Sequence, residues 1–436
     1  MYNRVADIYC KDPNLLLAVY NEMIESGMSE EEALSRLYAF CPTKRDALYL
    51  KNALPISWNN IFICPDTRNV KDPSDSKETE KYIKWLNSFS DMKFDYIIQN
   101  PPYDGKRNLF VKFFNEGLNI LSENGRMVII GPATWLINLR KNGKASLYND
   151  LKDRIFGQVV KVEIENQNKP FGTGLYVPFA TITIDTSKAY DTIEFVCCGE
   201  HKTVKSIYDC NLVGDYGLIW SIIEKCQKFG DMMESHVTKE DMGNGTWYTK
   251  YADIIGNFGC CAMIPHGTNP GLKYDSDVSW EKTSNGTYHI GFISSCIHNK
   301  FNELSDKPLN AIIQGGKKGQ TSDKIADCIY GTREELENWK HFIFNNKLPL
   351  FLNIVLTIDQ HNNSKPYLPW LVDKQYTDEE INKLFGFTDE EIKLINRTIE
   401  KYERNSPWFQ RYMFGPDSVS DEEVQNFIDK LNEKYA

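Results

Sequence analysis

Apolar residues recur along the first half of the chain in two alternating rhythms. Short runs bounded by turn formers read as strands: 4–10, Leu37–Cys41, 60–64, Phe94–Gln99, 127–131, 159–163 and Phe179–Asp185. Between them the apolar spacing is helical. Pro13 opens a helix that carries Leu15, Leu16, Leu17, Val19, Tyr20 and Met23 as far as Gly27. Ser29 caps a second helix, with Glu31, Glu32 and Leu34 behind it. A third covers 43–53, and 109–122 sets Leu109, Phe110, Phe113, Phe114, Leu118 and Leu121 on one helical face. The charged stretch 71–77 reads as a loop. Strands alternating with helices at this spacing predict a mostly parallel α/β sheet covered on both faces, with ligands held beyond the carboxyl ends of its strands. Further along, 287–293 is strand-like, while 256–271 and 314–320 are glycine-containing loops. Thr377, Thr388 and Ser420 each precede three acidic residues, which is the signature of a capped helix start, and Gly386 ends the first of these helices.

The length of 436 residues suggests two to three domains, and 41% hydrophobic residues supply enough apolar material for a large core, excluding a disordered chain. The longest apolar runs are strand-length, so a membrane protein is excluded, and the first residues lack the apolar region of a secretory signal. The net charge of −10 argues against coating nucleic acid by bulk charge but leaves room for a local basic cleft. Eleven cysteines without a Cys-x-x-Cys, and seven scattered histidines, point to reduced thiols in a cytoplasmic protein and to no metal site.

The strongest chemical signal is Asn100-Pro101-Pro102-Tyr103, directly after the strand Phe94–Gln99. Two prolines stop the sheet ladder and stiffen the backbone. The Asn100 amide oxygen and the Pro101 carbonyl then form two rigid acceptors beside the flat ring of Tyr103. That set suits methylation of the exocyclic amine of adenine, whose lone pair is delocalised into the ring. Accepting both N–H hydrogens returns electron density to nitrogen as the new bond forms. The tyrosine ring can stack on a base turned out of the duplex.

With these residues the sequence resembles the N6-adenine DNA methyltransferases of restriction–modification systems, in the gamma-type motif order. The stretch 109–122, then Asn124-Gly125-Arg126-Met127-Val128-Ile129-Ile130-Gly131-Pro132, is similar to the helix and strand that follow the motif in that family. Residues 161–184, with Phe171-Gly172-Thr173-Gly174, resemble its last strands. Pro369-Trp370 and the segment 377–386 resemble its tails. The resemblance implies a Rossmann-like methyltransferase mixed sheet with helices on both faces, S-adenosyl-L-methionine as cofactor and double-stranded DNA as partner. It places the cofactor at Asp7, Cys10 and Asp66. The family's pattern there is Asp-x-x-Cys-Gly-x-Gly-x-Phe, whereas this chain reads Asp7-Ile8-Tyr9-Cys10-Lys11-Asp12-Pro13-Asn14-Leu15, with Lys11 and Pro13 where glycines stand. The ribose-holding acid that ends the next strand has no counterpart in residues 37–43.

Three readings remain open from sequence. One is a working adenine methyltransferase. A second is a catalytically inactive homologue serving as a DNA-binding or partner subunit, or as a phage decoy. A third uses a modified donor. A general nucleotide-binding protein is disfavoured because no glycine-rich loop follows the first strand. The expected organisation is a methyltransferase-like domain over 1–190, a target-recognition region over 191–345, and a helical C-terminal region over 346–436. Phosphate contacts are expected at Lys317 and Lys318, within a glycine-rich loop, and at Lys141 and Lys144.

Overall fold

A computed structural model of the protein describes residues 3–65, 76–102, 109–137, 145–165, 178–239, 288–292, 312–314, 327–356, 367–403 and 405–436. It divides into two compact units, Met1–Cys210 and Asn211–Ala436.

The first unit is built on a nine-stranded mixed sheet. Its strands are β1 (Val5–Asp7), β2 (Leu37–Cys41), β3 (Ile61–Ile63), β4 (Phe94–Gln99), β5 (Leu121–Pro132), β6 (Val159–Glu165), β7 (Phe179–Asp185), β8 (Ile193–Cys197) and β9 (Glu200–Val204), arranged in the order β3-β2-β1-β4-β5-β7-β6-β8-β9. The five strands from β3 to β5 are parallel, and β7 runs antiparallel between β5 and β6. The sheet continues through β8 and β9, past the boundary expected at residue 190.

Both faces are covered, each for a legible reason. On one face α1 (Asn14–Glu25), α2 (Glu30–Arg36) and α3 (Lys44–Ala53) set Leu16, Val19, Met23, Ala33, Ala47 and Leu50 on Val5, Leu37, Ala39, Cys41 and Ile98. Thr43 starts α3 with a full capping box, its side chain accepting from Asp46 N while the Asp46 carboxylate accepts from Thr43 N. On the other face α4 (Ser76–Leu86) and α5 (Leu109–Ile120) supply aromatic rings. Trp85 packs edge-on to Phe40, and Phe40 to Phe94, at centroid separations of 6.0 and 5.8 Å. A short turn α6 (Thr134–Ile137) and α7 (Ala145–Arg154) follow β5.

The second unit contains α8 (Tyr216–Gln227) and a four-stranded antiparallel sheet. That sheet comprises β10 (Val237–Lys239), β11 (Tyr288–Phe292), β12 (Ile312–Gln314) and β13 (Asp327–Gly331), in the order β10-β13-β11-β12. Its described residues also form α9 (Arg333–Asn345), α10 (Lys347–Leu356), α11 (Asp378–Phe385), α12 (Asp389–Lys401), α13 (Pro407–Phe414) and α14 (Asp421–Lys434). The expected caps Thr377, Thr388 and Ser420 all form capping boxes, and Gly386 ends α11 in the left-handed conformation at φ 61°. No helix among the described residues is long and apolar enough to cross a membrane.

Candidate active site

The strands β1 and β4 are parallel neighbours, yet the chain leaves them in opposite directions. After β1 it passes to β2 and β3 on one side of the sheet, and after β4 to β5 on the other. Such a reversal opens a crevice beyond the carboxyl ends of the two strands. Asp7 is the last residue of β1 and its Cα pairs with that of Ile98. The loop at 8–13 and the run Asn100-Pro101-Pro102 therefore leave adjacent strand ends.

On the β4 side, Asn100 is half-buried and Pro101 and Pro102 are buried. The ladder stops at Gln99, as two successive prolines require. Tyr103 lies outside the described residues, as do Asp66, Lys141, Lys144, Lys317 and Lys318. Of the expected site residues, the fold thus brings Asp7, Cys10, Asn100, Pro101 and Pro102 to one end of two neighbouring strands.

On the β1 side the loop is filled by its own side chains. Asp7 is 2% exposed and its Oδ1 accepts a hydrogen bond from Tyr9 N at 3.0 Å. Burial pushes its carboxyl up to about 7, and the negative charge of Asp12 adds to this while the hydrogen bonds from Tyr9 and Cys10 oppose it. Cys10 is fully buried; its backbone N donates to the Phe40 carbonyl at 2.9 Å, and its thiol donates to the Asp12 carbonyl at 3.4 Å. The Tyr9 ring, 6% exposed, packs edge-on against both Tyr82 of α4 and Phe113 of α5, each at 5.2 Å between centroids. The Tyr82 hydroxyl lies 2.8 Å from the Ile8 carbonyl oxygen and 2.9 Å from that of Phe40, so one proton ties the ends of β1 and β2 together. Tyr9 was visible in the sequence as a bulky residue within the Asp7–Cys10 motif. Tyr82 carried no signal, because it belongs to a helix the spacing did not reveal, and Phe113 was legible only as one residue on a helical face.

At the end of β2 the nearest acid in sequence, Asp46, is committed to its cap, accepting from Thr43 N at 3.1 Å and Thr43 Oγ1 at 2.6 Å. Lys11 and Pro13 stand where the resemblance leads one to expect glycines, and a proline ring takes space that bare backbone would leave open. These residues do not offer the open backbone and ribose-holding acid that S-adenosylmethionine requires. Among the described residues no group of three or more His, Cys, Asp or Glu is placed to hold a metal ion.

A mixed sheet in this order, with a reversed strand between β5 and β6 and helices on both faces, is the Rossmann-like methyltransferase fold. Residues 30–154 match the Eco57I restriction-modification methylase family, which bears out the resemblance seen in the sequence. The matched stretch begins after the loop that follows β1 and takes in Asn100–Tyr103. No curated protein matches the chain.

Among solved structures, the chain is similar to one described as a modification subunit of a type I restriction enzyme from Vibrio vulnificus YJ016. The identity is 14% and the TM-score 0.34, over 47% of this chain and 44% of that one. It is similar to the EcoKI M protein of a type I restriction enzyme at 13% identity and TM-score 0.32, over 45% of this chain and 44% of that one. Its likeness to the type IIG restriction endonuclease BpuSI spans 99% of this chain and 63% of the other, at 11% identity and TM-score 0.37. The chain covers less than half the length of the type I modification subunits it matches.

Proposed function

We propose that the chain is a DNA-binding protein of the N6-adenine methylase type, with its target-base site at Asn100-Pro101-Pro102-Tyr103. The observation that supports this reading is the position of Asn100, Pro101 and Pro102 at the carboxyl end of β4, beside β1, at the point where the strand order reverses. Asn100 Oδ1 and the Pro101 carbonyl would each accept one N–H of an adenine turned out of double-stranded DNA, and Tyr103 would stack on the ring. Two acceptors on the amine would also concentrate its electron density on nitrogen, the polarisation that methylation at N6 needs. The part of 191–345 that follows β9 and contains the four-stranded antiparallel sheet would read the target sequence, and 346–436 would form a helical appendage.

The test is DNA binding by fluorescence anisotropy, using duplexes with a randomised core, together with transfer of tritiated methyl groups from S-adenosylmethionine. Tyr103→Ala should weaken adenine-dependent binding about five- to 150-fold, since stacking on one base is worth roughly 1–3 kcal/mol. Asn100→Ala, which removes an acceptor for the amine, should weaken it by a comparable factor. Unchanged binding in both variants would sink the base-site reading. A second reading is favoured by one specific observation, the filled loop after β1. In that reading the protein keeps the base and DNA cleft as a DNA-binding or partner subunit and transfers no methyl group itself.

A further inference from the structure

We infer that the crevice beyond β1 is closed to S-adenosylmethionine by the chain's own Tyr9, seated on Tyr82 and Phe113. The inference rests on the methylase-type reading of the sheet given above and asks what became of its donor side. Four observations converge, all from the first unit. The ring of Tyr9 is buried where the family pattern runs into its glycines, and it makes two edge-to-face contacts with helices on the same face of the sheet. Removing it would open a hole lined by Tyr82 and Phe113, so its place is stabilised by aromatic packing.

The backbone of the loop is also committed. Ile8 O faces the Tyr82 hydroxyl, and Cys10 N is bonded to Phe40 O. Cys10 N, whose single proton is already donated, is available to a ligand only by breaking a buried hydrogen bond, which costs about 1–3 kcal/mol. Pro13 caps α1 with φ −79°, and Leu17 N donates to its carbonyl at 2.8 Å, so the loop passes straight into a helix. Finally, Asp7 spends a carboxylate oxygen on Tyr9 N, which holds the turn that buries the ring. Methylase-type base recognition and methyl donation are thus uncoupled in this chain: the strand end that would hold adenine keeps its motif, and the strand end that would hold the donor is sealed from within.

Equilibrium dialysis of the full chain against tritiated S-adenosylmethionine tests this, with duplex DNA binding measured separately. The wild type should show no saturable binding up to about 1 mM, roughly the weakest range such a measurement resolves. The variant Tyr9→Ala/Lys11→Gly/Pro13→Gly should tighten binding at least tenfold. Should the triple variant fail to fold, Tyr9→Ala alone is read in its place. Hydrogen exchange supplies a second readout: S-adenosylmethionine should leave the amides of residues 8–12 unchanged in the wild type and slow them in the variant. Micromolar binding by the wild type, or slowed exchange at those amides, overturns the inference. A folded variant that binds no better than wild type overturns the assignment of the closure to this loop. Loss of DNA binding alone would strike the base-site reading and leave the closed crevice standing.

Discussion

At the scale of the residue, Asp7 shows how burial at a strand end changes the physics of a carboxyl. Its carboxyl is buried at the end of β1, and burial holds its pKa at about 7 against an ordinary 3.8. Between about pH 4 and pH 7 the folded chain keeps a proton that the unfolded chain has released, so stability falls as pH rises through that window and levels off above it. The gap corresponds to roughly 4 kcal/mol at full extent. Asp7→Asn keeps an oxygen for Tyr9 N and has no proton to lose. It should therefore be more stable than wild type at pH 8, by up to a few kcal/mol, with the difference shrinking to about 1 kcal/mol near pH 4.5. Urea unfolding followed by circular dichroism from pH 4.5 to 8.5 measures this. Parallel pH profiles for the two proteins would show that Asp7 ionises freely, and with it that the loop after β1 is open to water.

At the scale of the element, the second unit is tied by an ion pair between helices far apart in sequence. Glu391 in α12 is 1% exposed; it accepts from Ser221 Oγ and Lys225 Nζ of α8, each at 2.6 Å, and from Thr388 N at 2.7 Å. Burial works against its charge, but the hydrogen bonds from Lys225, Ser221 and Thr388 outweigh burial and hold its carboxyl below the usual glutamate value. Its contribution is present above pH 4.5 and is lost as pH falls through the lowered folded value. Glu391→Gln leaves Lys225 without its counter-charge at a part-buried contact, and should cost about 1–3 kcal/mol, read as a lower urea midpoint at pH 7. A change under about 0.5 kcal/mol, the scale of an exposed pair, would show that the α8–α12 contact contributes little.

Much of the element layout was legible because it is local. Leu37–Cys41, Phe94–Gln99 and Phe179–Asp185 have the bounds their apolar runs suggest, and the helix starts at Ser29, Thr43, Thr377, Thr388 and Ser420 follow from side-chain caps. What escaped was set by partners distant in sequence. β5 begins at Leu121, not Met127, because the polar run around Gly125 is a bulge: Phe94 pairs with Leu121 and Tyr96 with Arg126. Thr186 holds that bulge, its Oγ1 accepting from Gly125 N at 3.0 Å. The helices α4 and α7 have too few apolar positions to announce themselves, and their register is fixed by what they cover. Of the candidate site, the base motif was readable as a tetrapeptide. The closure of the loop was not, since it depends on Tyr82 and Phe113 meeting Tyr9 in space.

At the scale of the whole molecule, a net charge of −10 means that bulk attraction cannot bring this protein to DNA. Many of the acids are already spent within the fold. Those in the first turns of α11, α12 and α14 face the positive ends of their own helices, where they stabilise the cap. On the proposed DNA-binding reading, attraction to a duplex falls to a few local lysines, and the salt dependence of binding counts them. Each phosphate neutralised contributes about 0.9 to the slope of log K against log salt concentration. Replacing Lys141 and Lys144 by Ala, or Lys317 and Lys318 by Ala, should lower that slope by up to about 2 for each pair that contacts phosphate and weaken binding to all sequences alike. Asn100→Ala should act in the opposite manner, leaving the slope unchanged and weakening only the adenine-dependent part. Anisotropy titrations between about 50 and 200 mM salt separate the two, because counter-ion release depends on charge and base capture does not. A slope that neither lysine pair alters would mean that other residues meet the phosphates, while the proposed base site would still stand or fall on Asn100 and Tyr103.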